Sequence, residues 1–143
     1  MRHPLLSLAA PVLACLAACD PSASTSVDDP SAVVFLALDT HQDMYMDALF
    51  QGRVTLDAQG CLRLGSGAGD TVIWPHGYTL DTRGGTLVVK DAQGREVGAV
   101  GGSFRFGGGE VTSLDQVNHV SATTRTKAEE SCPGRYWFAS RSM

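Results

Sequence analysis

The chain has 143 residues, with 11 basic against 15 acidic side chains and a formal net charge of −4, which suits one modest domain. That acidic balance excludes the basic face of a nucleic-acid binder and the polybasic patch of a membrane-surface protein. The composition, with four cysteines and 16 glycines, favours turns and cross-links over long helices.

Arg2 and His3 open the chain, and residues 4–16 form a run of Leu, Ala, Val and Pro broken only by Ser7 and Cys15. A short positive stretch followed by such a run predicts a secretory signal. It is too short for a permanent span, which needs about 20 apolar residues, and Pro4 and Pro11 would disturb a helix. The run ends in Leu16-Ala17-Ala18-Cys19, which resembles the cleavage box of bacterial lipoproteins. The resemblance implies cleavage after Ala18, acylation of Cys19, and anchoring in the cell envelope facing the periplasm or the exterior. The several acyl chains it implies exceed the two signals that stable anchoring requires. Cys15 is a rival acceptor, but Leu13 is larger than the residue usual at that place, so Cys19 is preferred. Asp20 after the acceptor resembles an inner-membrane retention signal.

Cleavage would leave 125 residues and, with Arg2 gone, a charge of −5. Residues 19–31 read CDPSASTSVDDPS, a composition that cannot bury enough apolar surface to offset ordering, and so predicts a flexible spacer. A single β-rich domain is expected over 32–143. Its first piece, Val33-Val34-Phe35-Leu36-Ala37-Leu38, is continuously apolar, and a first strand or a segment packed across a barrel is expected. His41, Met44 and Met46 follow closely; soft thioethers beside imidazole suit copper, whereas methionines filling gaps in a core are the competing reading.

Alternation then becomes clear. Phe50, Gly52, Val54 and Leu56 share one face, predicting a strand over 50–56. Asp57-Ala58-Gln59-Gly60 reads as a turn and Cys61-Leu62-Arg63-Leu64 as the returning strand. After the loop 65–70, Thr71-Val72-Ile73-Trp74 is a short strand halted by Pro75. Trp74-Pro75-His76-Gly77-Tyr78 places aromatics, an imidazole and two backbone breakers together, making it the best candidate for a surface feature with chemistry. In the competing reading Trp74 closes one end of a small barrel.

A turn at 82–85, a strand at 86–90, a second Asp-Ala-Gln-Gly turn at 91–94 and a strand at 95–100 follow. The glycines of 101–109 suggest a sharp barrel corner around a short strand; with no following Lys-Ser or Lys-Thr they do not make a phosphate loop. Residues 113–126 are ambiguous between strand, loop and a single helical turn near Leu114 to Val117. Arg135-Tyr136-Trp137-Phe138-Ala139 is expected to be the last strand. Once Cys15 leaves and Cys19 takes lipid, Cys61 and Cys132 remain as an even pair in an oxidising compartment, so a disulfide is expected between them. Two separate buried thiols are the alternative.

Gly60-Cys61-Leu62-Arg63-Leu64, Trp74-Pro75-His76-Gly77-Tyr78, Gly107-Gly108-Gly109-Glu110 and Cys132-Pro133-Gly134-Arg135-Tyr136-Trp137, in that order, resemble a group of bacterial secreted proteins and lipoproteins to which no activity is assigned. The fold expected is mainly β: a small closed, OB-like barrel of six to eight short antiparallel strands, with a β-sandwich as alternative. The chain has no G-x-S-x-G, H-E-x-x-H or C-x-x-C pattern, so a non-catalytic binding or envelope-associated module without cofactor is expected ahead of a hydrolase. Its expected partners are the membrane through Cys19 and an envelope protein or small ligand, with no nucleic acid. Trp74, His76, Tyr136 and Trp137 are the candidate ligand residues if they converge on one concavity. His41, Met44, Met46, His76 and His119 are the candidates for metal or small-ligand binding.

Overall fold

The structure, a computed structural model, describes residues 30–41, 46–117 and 119–140. It is mainly β, with eight strands in two sheets: β1 (Ala48–Leu56), β2 (Leu62–Leu64), β3 (Thr71–Ile73), β4 (Thr79–Arg83), β5 (Thr86–Lys90), β6 (Glu96–Ala99), β7 (Ser103–Val111) and β8 (Tyr136–Ala139). One helix, α1 (Ala122–Ser131), lies between β7 and β8. The strand number agrees with expectation, but the strands do not share one barrel. Five pair in a ring, β1-β2-β3-β8-β7, with β7 returning to β1, and β4-β5-β6 form a separate meander. Nor are all pairs antiparallel, since β3 and β8 run parallel with Val72 opposite Trp137. A parallel pair needs a long crossover, and the meander, β7 and α1 supply it.

The two Asp-Ala-Gln-Gly stretches build the same hairpin turn. In the first, Asp57 N–H donates to Cys61 O (3.0 Å) and Gly60 N–H to Asp57 O (3.1 Å); in the second, Asp91 N–H donates to Arg95 O and Gly94 N–H to Asp91 O (both 2.9 Å). Gly60 and Gly94 take φ of +84° and +77°, which a side chain resists. Each aspartate clamps its turn: Oδ1 accepts from the N–H groups two and four residues on, and Oδ2 from an arginine Nε at 2.7 Å, Arg63 in one turn and Arg95 in the other.

The apolar run 33–38 is extended, touching the ring through isolated parallel bridges, Val34 to Cys61 and Ala37 to Trp74, rather than through a ladder. Its continuity has a physical reason. Val33, Phe35 and Ala37 join one core cluster with Trp74, Phe104 and Phe106, while Val34, Leu36 and Leu38 join a second with Ile73, Leu114, Tyr136 and Phe138. The segment is therefore apolar on both faces. Leu87 and Val89 of β5 share the first cluster, which fixes the meander against the ring.

Three expectations are corrected. The glycines 107–109 are not a corner but the interior of the nine-residue strand β7. Other atoms occupy the space a Cβ would need: the Ser140 hydroxyl at Gly107, the Phe138 carbonyl and the Trp137 indole at Gly108, and the Met46 thioether at Gly109. Residues 122–131 are a helix, and β4 occupies 79–83 ahead of the anticipated turn. The single helical turn near Leu114 is present over Leu114–Gln116.

Helix α1 starts at Ser121, whose Oγ accepts from Thr124 N–H (3.1 Å), an N-cap arrangement. The Asp39 carboxylate accepts from Ser121 N–H and Thr124 Oγ1, and the Ser121 hydroxyl, with these donors, outweighs burial and holds it below the ordinary carboxylate range. The helix ends at Cys132, which is bonded to Cys61 across 71 residues with Cα atoms 5.8 Å apart. The expected disulfide is present, and it ties the start of β2 to the end of α1.

Candidate functional site

Three stretches of chain meet at one end of the meander around a cleft of about 370 Å³ lined by His41, Pro75, His76, Tyr78, Asp91, Ala92, Gln93 and Arg95. The β3–β4 turn and the second Asp-Ala-Gln-Gly turn approach so closely that a Cβ on Gly77 would lie 2.9 Å from that of Ala92. Gly77, at φ +82°, thus meets both the backbone and the packing requirement of this wall.

Polar and charged side chains make up much of the lining of the cleft. His76 is exposed, and its Nδ1 lies 3.1 Å from Leu38 O. A carbonyl only accepts, so Nδ1 donates to it and Nε2 is the ring nitrogen left to the cleft. Asp91 is 5% exposed. Burial raises its pKa, but its bonds from Arg95 and Gln93 outweigh burial and hold the carboxyl below its ordinary range. Those bonds commit Asp91 to its own turn and leave no obvious lone pair for a general base. Arg95, 74% exposed, pairs with Asp91 through Nε and Nη2, and Nη2 also donates to Gln93 Oε1 (3.4 Å). The cleft presents an imidazole nitrogen, a guanidinium edge, the Gln93 amide and the Tyr78 ring, a set that can orient a polar molecule by hydrogen bonds.

The structure separates the four residues expected to converge. His76 lines the cleft. Trp74 is fully buried and supports the cleft from beneath: Tyr78 stacks on it at 6.1 Å and 18°, and Phe35, Phe104 and Phe106 enclose it. Tyr136 is 3% exposed in the second core; burial, with the nearby Glu129 charge, pushes its phenol above the ordinary value. Trp137 packs on Phe50 (6.2 Å) and over Gly108. A shared concavity of these aromatics is therefore not formed, because β8 turns Tyr136 into one core and Trp137 toward the other.

The copper set is separated as well. His41 lines the cleft, Met46 packs against Gly109 and the second core, and His119 is exposed between the 3-10 turn and α1 at φ +93°. Met44, like Cys19, lies outside the described residues. Among the described residues no group of three or more His, Cys, Asp or Glu side chains is placed to hold a metal ion. Asp91, Gln93 and Arg95 were not legible as site residues; the repeated tetrapeptide marked a turn there without showing that it would oppose Pro75–Tyr78.

No described helix is long and apolar enough to cross a membrane. Compared with protein-family models, with curated proteins and with solved structures, the chain matches none.

Proposed function

We propose that this chain is a lipid-anchored, non-catalytic binding module of the bacterial cell envelope, whose β-rich head is held off the membrane by residues 19–31 and takes a small polar ligand in the His41–His76–Arg95 cleft. The observation that carries the reading is Leu16-Ala17-Ala18-Cys19, placed ahead of a short polar spacer and a domain whose remaining cysteines are bridged. Bridged cysteines are rare in the cytosol, so the disulfide supports export.

Within this proposal the ring is an OB-like barrel. Supporting it, β7 lies beside β1, followed by β2 and β3, the fourth-beside-first order of a Greek key, and five is the strand number of that barrel. The meander inserted between β3 and β7 is the departure, and it supplies one wall of the cleft.

The anchor is tested by fractionating cells that express the full chain and its Cys19→Ala variant. Wild type is expected in the membrane fraction and the variant in the soluble envelope fraction; equal membrane association of the two overturns the anchor. The cleft is tested by comparing ligand capture from envelope extracts by wild type and His76→Ala. Equal retention of the same small molecules, or retention of none, overturns the cleft as the binding site.

A further inference from the structure

We infer that the outer face of the β1–β7 pair is a second site, which binds a phosphate-type dianion between Arg53 and Arg105. The chain is acidic overall, and its described arginines are otherwise matched to carboxylates: Arg63 to Asp57, Arg83 to Glu96, Arg95 to Asp91, Arg125 to Asp115, and Arg135 to Asp70 and Glu110. Of the described arginines only Arg53 and Arg105 have no ion pair or side-chain hydrogen bond.

These two lie next to each other. In the β1–β7 register Gln51 is opposite Arg105 and Arg53 is opposite Ser103, so the two arginines are diagonal cross-strand neighbours, about 7–8 Å apart and within reach of long side chains. Alternation puts Gln51, Arg53, Ser103 and Arg105 on the outward face, and all four are exposed. Leu49, the one exposed large apolar residue among those described, at 47%, continues the row opposite Gly107. The nearest acid of that row, Asp47, stands beyond Leu49.

Two like charges held as diagonal neighbours on one face repel each other, and a bound anion relieves that repulsion. An acidic protein whose described arginines are matched to carboxylates except at this pair has a place for an anion there. The donors narrow its class. A monocarboxylate satisfies one guanidinium fork, whereas a tetrahedral dianion offers oxygens to two forks at once, and the Gln51 amide and Ser103 hydroxyl flank them. The phosphate can come from solution or from a lipid headgroup, with Leu49 beside it in the second case.

The test uses the full chain carrying Cys19→Ala, so that no acyl chain holds it to vesicles. Side-chain Nε–Hε resonances of Arg53 and Arg105 are followed by NMR during titration with inorganic phosphate, with sodium chloride at matched ionic strength as control. Phosphatidylglycerol and phosphatidylcholine vesicles form the lipid arm. Saturable shifts at both arginines at millimolar phosphate are expected, weakened about tenfold or more in Arg53→Gln or Arg105→Gln, as loss of charge-assisted hydrogen bonds requires. Arg53→Lys keeps the charge but not the fork and should weaken binding by an intermediate amount. Response to phosphate alone identifies a solution ligand, and response to phosphatidylglycerol vesicles as well identifies the headgroup; both support the site. Response to neither, shifts that chloride reproduces, or binding that survives both Gln substitutions overturns it. Because the site is separate from the cleft, its failure leaves the His76→Ala comparison unaffected.

Discussion

The two Asp-Ala-Gln-Gly turns allow one ion pair to be weighed against a control within the same molecule. Asp57→Asn keeps Oδ1 as acceptor for the Gln59 and Cys61 N–H groups but removes the charge that Oδ2 offers Arg63. The Asp57 and Arg63 side chains are 8% and 12% exposed, so the substitution leaves a shielded guanidinium facing only carbonyls, Gly69 O at 3.4 Å and Pro133 O at 3.5 Å. Breaking one partner of a buried pair costs about 3–5 kcal/mol, and the residual carbonyls put this case near the lower end, about 3 kcal/mol. With an m value of about 1.5 kcal/mol/M, the urea midpoint should fall by about 2 M. Asp91→Asn makes the same chemical change in the same turn, but Arg95 is 74% exposed, and water takes over its charge. Its midpoint should stay within experimental scatter of wild type. Urea unfolding with the disulfide intact, followed by tryptophan fluorescence, reads both variants, since Trp74 is buried and Trp137 half-buried. A double-mutant cycle with Arg63→Met should assign most of the Asp57 loss to the pair. Equal losses at the two turns, or a negligible loss at Asp57, would refute burial of the guanidinium as the cause.

Replacing both Cys61 and Cys132 by Ser opens a 71-residue loop and should cost about 4 kcal/mol of the roughly 5–15 available; reduced and oxidised wild type should differ by the same amount in denaturant. Trp74→Ala removes a fully buried ring that Phe35, Tyr78, Phe104 and Phe106 surround and should cost about 3–5 kcal/mol, whereas His76→Ala should leave the unfolding midpoint nearly unchanged. Gly98→Ala would place a Cβ 2.7 Å from the Phe104 ring and should lower the melting temperature measurably, while Gly94→Ser, where nothing lies near the site but φ is +77°, should cost about 1 kcal/mol through backbone strain alone. Acid should weaken the fold. Burial raises the Asp57 pKa, but Arg63 and the turn N–H groups lower it further. A depressed folded-state pKa contributes stability that is complete above the unfolded value of about 3.9 and is lost as pH falls through the folded value. Melting temperatures between neutral pH and about pH 2 should therefore fall mainly below about pH 4, and less steeply for Asp57→Asn.

What could be read from the chain was what local chemistry controls. Asp-Ala-Gln-Gly carries its own clamp and its own left-handed glycine, so both hairpin turns were visible, and β5 and β6 followed from the second. Helix α1 was hidden because Ala122–Ser131 buries only Thr124 and Ala128 and so has no apolar stripe; its stop at the disulfide and the Asp39 carboxylate that braces its Ser121 cap are tertiary contacts. Strand β4, Thr-Leu-Asp-Thr-Arg, carries one apolar residue and depends on β5 for its definition. The triple glycine resembled a corner because glycine marks both bends and close approaches; here Trp137 and Met46 fill the missing side-chain space. The cleft was half legible. Pro75 to Tyr78 announced a feature, but the opposing wall at Asp91–Arg95 is brought there only by the meander, and burial sent Trp74, Tyr136 and Trp137 elsewhere.

The proposed export and acylation would set the compartment in which the disulfide forms and in which the proposed cleft would meet a ligand. They are tested most directly by intact mass of the protein recovered from the membranes of its native host, before and after base hydrolysis of ester-linked acyl groups. The predicted result is a chain that begins at Cys19, carries fatty acid, and is two hydrogens lighter than its reduced form. A chain that retains Met1, or one that starts at or beyond Cys19 without any acyl mass, would contradict it.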